Sequence, residues 1–359
     1  MMKRIAVIGL GKVGSLVGTL LQEQFEVIGI DCLHYAQLPF ATHKGDCNDH
    51  EFLKEVLQHQ DGVVSCLPYD KNLVIAQLAH QLGLHYFDLT EDVSTTNAIR
   101  QMAKTAKGVM IPQCGLAPGF IGIVAADLCL RFDKLRDVEL RVGALPRYPN
   151  GLMGYSFTWS PAGVINEYLN DAEMIHNGKR KWMQSLDGIE TINIEGQELE
   201  AFTTSGGLGT LCETLEGKVD TLNYKTIRYP GHCRLMRFLL YELILKEDRA
   251  LVESILTKAK PPVKEDVVYV YAVVEGWKQG ALMREEYFKA FYPMHIAGKE
   301  WRAISWTTAA SICSVVEMVV LGELPQQGFV KQEDIELQKF YQTHNGSRFT
   351  ILQNVYTKP

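Results

Sequence analysis

Three glycines spaced as Gly9, Gly11 and Gly14, at the end of the apolar run Ile5 to Ile8, form a turn whose backbone can bind a pyrophosphate. Gly9 suits a tight turn from strand to helix, Gly11 lets backbone approach the phosphates, and Gly14 lets the next helix pack closely on the strand. Leu16, Val17, Leu20 and Leu21 then follow at helical spacing. The helix N-terminus, with Lys12 and Val13 in its turn, is thereby aimed at an anion. A second apolar run, Phe25 to Ile30, closes on Asp31, where an acid accepts the ribose 2′-hydroxyl and repels a 2′-phosphate. Cys32 and Leu33 bring no cation to reverse that preference, so the expected cofactor is NAD.

The elements that must hold this turn follow in order. A third segment ends at Asp46, whose place beside an adenosine in a doubly wound sheet makes it a cofactor candidate, with an exposed turn acid as the equal alternative. Gly62 to Tyr69 reads as a buried strand leaving the sheet through Pro68, which sets Cys66, Leu67 and Pro68 over the pyrophosphate and nicotinamide ribose. A helix over 72–82, a fifth strand over 85–92 and a sixth unit over 108–112 complete an alternation that predicts a parallel, Rossmann-type doubly wound α/β sheet. From about Asp137 the pattern changes to strands joined by hairpins or single helices, an inserted α+β substrate domain with a mixed or antiparallel sheet. The expected domains are 1–124, 125–300 and 301–359, the last carrying an apolar helix over 304–321 that returns to the dinucleotide domain.

With 359 residues the chain accommodates two cores, and its 47% hydrophobic and 22% charged residues are globular values. A net charge of −6, without a dense Lys/Arg cluster, argues against nucleic acid and for a small-molecule partner. Eight scattered cysteines with no CxxC pair predict neither a disulfide framework nor a metal site. The chain opens on its first strand and Glu317 interrupts its longest apolar helix, so a cytoplasmic protein with no membrane span is expected.

Five motifs in order, Gly9-x-Gly11-x-x-Gly14, Cys114 to Gly119, Trp159 to Gly163, Lys225 to His232 and the Trp306-Thr307-Thr308 helix closing on Gly322-Glu323, resemble the saccharopine reductase and lysine 6-dehydrogenase family of amino-acid dehydrogenases. Ala117 stands where saccharopine-handling members tend to carry aspartate, which leans toward the lysine-dehydrogenase side. The resemblance implies a homodimer that transfers hydride between the C–N bond of lysine, saccharopine or a related amine and nicotinamide. Such chemistry needs a cation for the substrate carboxylate and a base for the amine proton. Arg228 is the candidate cation, His232 the candidate proton shuttle at neutral pH, and Tyr229 the residue that orients either. Glu91 and Asp92 are candidates for the substrate ammonium, or a helix start. A carboxynorspermidine-type dehydrogenase, a hydroxy-acid dehydrogenase and a non-catalytic NAD-binding regulator are the alternatives.

Overall fold

Ile5, Ala6, Val7 and Ile8 alternate with no polar residue because both faces of their strand, β1 (Arg4–Ile8), are covered; all four are buried. The computed structural model describes residues 2–33, 35, 37–157 and 159–351. After β1 come α1 (Gly14–Leu21), β2 (Glu26–Asp31), β3 (Ala41–Lys44), α2 (His50–Leu57), β4 (Gly62–Ser65), α3 (Tyr69–Leu82), β5 (His85–Asp88), α4 (Val93–Ala103) and β6 (Val109–Ile111). Every residue of α1 is buried, so it packs as a core helix with no polar face. Asp49 and Asp92 cap α2 and α4 by accepting from Phe52 N and Thr95 N.

The next stretch holds α5 (Phe120–Cys129), β7 (Lys134–Pro146), α6 (Pro161–Leu169), β8 (Ala172–His176), β9 (Lys179–Met183), β10 (Glu190–Ile194), β11 (Gln197–Thr203), α7 (Leu211–Leu215), β12 (Thr221–Arg228), α8 (His232–Arg237), α9 (Arg249–Ala259), β13 (Asp266–Lys278) and β14 (Ala281–Phe291). A hairpin of β15 (Met294–Ile296) and β16 (Lys299–Trp301) leads to α10 (Ala303–Val320), β17 (Gly328–Phe329) and α11 (Leu337–Gln342).

Two compact units result, residues 1–116 with 295–299 and 305–359, and residues 117–294 with 300–304. The first carries a parallel sheet in the order β17-β6-β5-β4-β1-β2-β3, the dinucleotide-fold order with one strand added beyond β6. The second carries a mixed sheet along the path β10-β11-β12-β7-β13-β14, in which β7 runs parallel to β12 and antiparallel to β13. The first boundary falls after Leu116, not at 124, because α5 belongs to the second unit: Phe120 packs edge-on against Tyr287 and Phe291 of β14. The chain returns to the first unit at Ser305.

α10 has the length and apolarity of a membrane span, and 83% of it is buried inside the fold. Within the first unit Cys313 Sγ approaches Val17 O of α1 at 3.8 Å. Glu317 is buried there, accepting from Gln24 Nε2 at 3.0 Å and from the backbone and side chain of Asn345. Residues 352–359 of the expected C-terminal segment lie outside the described residues.

Candidate active site

The glycine turn follows from β1 being held between β2 and β4. Gly9 N donates to Ile30 O at 2.8 Å, and Gly9 sits at φ +88°, a conformation that favours glycine. A methyl on Gly14 would lie 1.8 Å from Gly9 O, whereas one on Gly11 would meet no atom within 4 Å. Gly14 is therefore required by the packing of α1 on its strand, and Gly11 leaves its side of the turn open. Val13, the N-cap of α1, gives the helix N-terminus no side-chain acceptor, which leaves amides for an anionic ligand. These features fit a dinucleotide pyrophosphate.

The contrast between the two glycines is testable. Gly14→Ala is expected to lower stability by roughly 1–3 kcal/mol through overpacking, whereas Gly11→Ala should leave Tm in place and weaken nucleotide binding. Thermal melts and NADH fluorescence titrations check both. Unchanged nucleotide affinity in Gly11→Ala would remove the phosphate role of this turn.

The other sequence-predicted cofactor residues converge to different degrees. The exit of β4 lies against the turn: a methyl on Gly9 would be 3.0 Å from the Cys66 carbonyl and the Leu67 side chain, and Pro68 is the N-cap of α3. Asp31 ends β2 with its carboxylate accepting from Leu10 N at 2.7 Å and Leu33 N at 2.8 Å, so it is tied to the glycine turn itself. Asp46 is exposed and accepts from the backbone and side chain of Asn48, which hold its carboxyl below the usual range. Sequence reasoning missed Lys44, which stands in register with Asp31 on the neighbouring strand β3. A search for a cation directly after Asp31 overlooks one supplied by strand pairing.

At the carboxyl edge of the same sheet, Asp88 is fully buried and accepts from Tyr86 Oη at 2.7 Å, Thr90 N at 2.9 Å and Gln113 N at 3.0 Å. Burial pushes its carboxyl up to about 6 against those three donors. The network fixes the chain at Gln113, which has φ +65°, and so sets the start of the Cys114 to Gly119 turn. Of the two acids beyond β5, Asp92 is spent on capping α4. Glu91 is partly exposed, and its carboxyl is pushed up to about 7, first by burial and then by Asp92 and Asp88.

In the second unit Arg228, at the end of β12, is 3% exposed. Its Nε donates to Tyr168 Oη at 3.0 Å, and its Nη1 donates to Thr226 Oγ1 at 2.6 Å and Ile227 O at 2.8 Å. The guanidinium also lies over the Tyr155 ring, 4.6 Å from its centroid. Among the described residues no carboxylate forms an ion pair with Arg228 and its Nη2 makes no hydrogen bond. A buried cation of this kind suits a carboxylate brought by a ligand.

His232 and Tyr229 do not take the places the sequence suggested. His232 is fully buried between Tyr168 Oη, 3.0 Å from Nε2, and Met153 O, 3.2 Å from Nδ1. Burial, and then the Arg228 charge, push its imidazole down to about 3. The arrangement is satisfied by a neutral ring: Arg228 Nε donates to Tyr168, Tyr168 donates to Nε2, and Nδ1 donates to Met153. A neutral imidazole in this chain of hydrogen bonds supports Tyr168 and through it Arg228, where the sequence suggested a proton shuttle. Tyr229 donates to Pro146 O at 2.9 Å and makes no hydrogen bond to Arg228 or His232. Tyr168, on the buried face of α6, does the orienting instead; nothing local marks it, although Ser160 followed by Pro161 is a cap and first-turn proline that starts its helix.

A parallel sheet of dinucleotide-fold order with a glycine phosphate turn, joined to a mixed-sheet unit holding a buried arginine, defines a Rossmann-type nucleotide-binding protein with a second domain. The chain belongs to the saccharopine dehydrogenase family: residues 5–111 match the saccharopine dehydrogenase NADP binding domain and residues 115–343 the saccharopine dehydrogenase C-terminal domain. It is 26% identical over 205 residues to an alpha-aminoadipic semialdehyde synthase of Arabidopsis thaliana, covering 53% of this chain and 19% of that one. It is 24% identical over 152 residues to the saccharopine dehydrogenase [NADP(+), L-glutamate-forming] of Schizosaccharomyces pombe, covering 41% of this chain and 34% of the relative. The matches thus span about a fifth to a third of these relatives. The fold is similar to that of apo saccharopine dehydrogenase (L-Glu forming) from Saccharomyces cerevisiae, with a TM-score of 0.75, 15% identity and coverage of 94% of this chain and 97% of that one. The family makes a pyridine nucleotide the cofactor class, and its domain is described as binding NADP where Asp31 predicted NAD.

Proposed function

We propose that this chain is an NAD(H)-preferring dehydrogenase that moves hydride between the C–N bond of an amino acid of the lysine or saccharopine class and nicotinamide. The observation that carries the reading is Arg228, a buried guanidinium held by Tyr168, Thr226 and the Ile227 carbonyl without a salt bridge, the buried Glu167 acting on its charge only from beyond ion-pair distance. A carboxylate-bearing substrate completes it with a charge-assisted pair. The nucleotide, when bound, accepts or returns the hydride; the chain's residues bind the acid group, orient it and take the amine proton. Family membership supports this reaction class over a hydroxy-acid dehydrogenase. A panel of amines and 2-oxo acids followed by NADH absorbance tests it, and nucleotide binding without turnover of any amine would favour a regulator instead.

NAD preference rests on the Asp31 carboxylate at the end of β2, which opposes a 2′-phosphate. Lys44, in register beside it, favours a second reading in which NADP is also accepted, in line with the relatives' names. Asp31→Ser is expected to reduce kcat/KM for NAD by about 10- to 100-fold, the worth of one hydrogen bond to a charged group, and Lys44→Met to reduce it for NADP alone. Measuring kcat/KM with both cofactors decides. An unaltered protein that prefers NADP would overturn the ribose contact by Asp31.

A further inference from the structure

Glu167 precedes Tyr168 on α6 and is buried, in the same unit as Arg228. Its carboxylate acts electrostatically on Arg228 and on the phenols of Tyr155, Tyr168 and Tyr224, yet it stands beyond ion-pair distance of the guanidinium. Two opposite charges taken out of water so near one another ordinarily meet, because each is costly to bury without the other. Here the fold holds them apart. Arg228 is tied to Tyr168, Thr226 and the Ile227 carbonyl at the end of β12. The Glu167 backbone is tied to the turn after β11, its carbonyl accepting from Ser205 N at 3.1 Å and Ser205 Oγ at 3.3 Å.

The hydroxyls beside these charges are unused. Tyr155 Oη, with Trp159 near it, and Thr204 Oγ1, one residue before Ser205, are buried and make no hydrogen bond among the described residues. Such groups cost stability until a ligand or a water takes them up. A cation, an anion and two unused hydroxyls match the head of an α-amino acid: its carboxylate suits the guanidinium, and its ammonium has three N–H groups for carboxylate and hydroxyl oxygens to accept.

We propose that Glu167 binds the α-ammonium of the substrate, with the Thr204 hydroxyl as a second acceptor, so that Arg228 and Glu167 together grip the zwitterionic head of an amino acid. The assignment rests on the reading of Arg228 as the carboxylate site. A carboxylate beside an amine keeps it protonated, whereas oxidation needs the amine uncharged, so the nitrogen that reacts is a second one farther along the substrate.

Isothermal titration calorimetry of the full chain saturated with NADH separates the two charges. L-norleucine carries the whole head group and no second nitrogen, and hexanoate is the same molecule without the ammonium. The unaltered protein is expected to bind norleucine about 10- to 100-fold more tightly than hexanoate, the worth of a hydrogen bond to a charged group. Glu167→Gln should bring the two affinities within a few-fold of one another by weakening norleucine alone. Thr204→Val, which removes a hydroxyl that makes no hydrogen bond, should narrow the gap several-fold with Tm unchanged. Arg228→Met should weaken both ligands together. Equal affinities in the unaltered protein, a gap that survives both Glu167→Gln and Thr204→Val, or a Glu167→Gln change that shifts both ligands equally would overturn the assignment of Glu167 and leave Arg228 in place. If neither ligand binds the unaltered protein, or Arg228→Met weakens neither, the carboxylate reading itself falls and Glu167 with it.

Discussion

Arg228→Met is expected to raise the KM for the amino-acid substrate by roughly 30-fold to several-thousand-fold, the equivalent of about 2–5 kcal/mol for losing one partner of a buried charge pair, with kcat changing much less. The reason is that a contact to an acid group that does not itself react is made equally in the ground and transition states and so contributes uniform binding. Methionine keeps much of the side-chain length and packs where Arg228 now lies over Tyr155, but it leaves Tyr168 without its Nε donor. His232→Phe should act in the same direction and more weakly, because it removes the acceptor for the Tyr168 hydroxyl and so loosens the arginine without removing it. Nucleotide affinity, measured separately by fluorescence titration, should be the same in both variants. An unaltered KM in Arg228→Met, or loss of nucleotide binding, would show that the residue serves the fold and not the substrate.

The parts of this protein that were legible in the sequence are those whose cause is local. Ile5 to Gly14 encodes a buried central strand, a glycine turn and a helix start within ten residues, and the structure keeps all three. Ser160-Pro161 is local in the same way, a cap followed by proline, and α6 starts there. What was not legible depends on partners distant in sequence. β14 escaped notice because only one of its faces is covered and its exposed face carries charges, so no apolar run marks it. Tyr168 and Arg228 are 60 residues apart and meet only when α6 and β12 pack together. The apolar spacing over 233–245 reads as one helix, yet α8 runs only as far as Arg237 and is followed by a wider π-type turn over Phe238–Glu242. His232 carried the strongest chemical suggestion of any residue type near neutrality, yet its ionisation was decided by the core around it.

With His232 held neutral, the acid whose protonation changes near neutrality is Glu91, just past β5 on the edge of the parallel sheet that also carries the glycine turn. Amine oxidation needs a base in its proton-free form, so activity in that direction should rise as pH increases through about 7 if Glu91 takes the proton. Glu91→Gln keeps the shape and removes the base, and is expected to lower kcat by about 10²–10⁴-fold and to flatten the acidic limb of the pH profile. The limb belongs to Glu91 alone only if no other buried group titrates there. Asp88 and Asp266 are each raised to about 6, but the oxygens of Asp88 are occupied by Tyr86, Thr90 and Gln113 and those of Asp266 by the Ala303 and Ile304 amides, so their protonation would disturb the backbone before it reached a ligand. His232→Phe is the control: with an imidazole already pushed down to about 3, its replacement should leave the neutral limb where it is. Profiles of kcat and kcat/KM for the three proteins settle the assignment. A limb that disappears in His232→Phe and persists in Glu91→Gln would return the proton to the histidine.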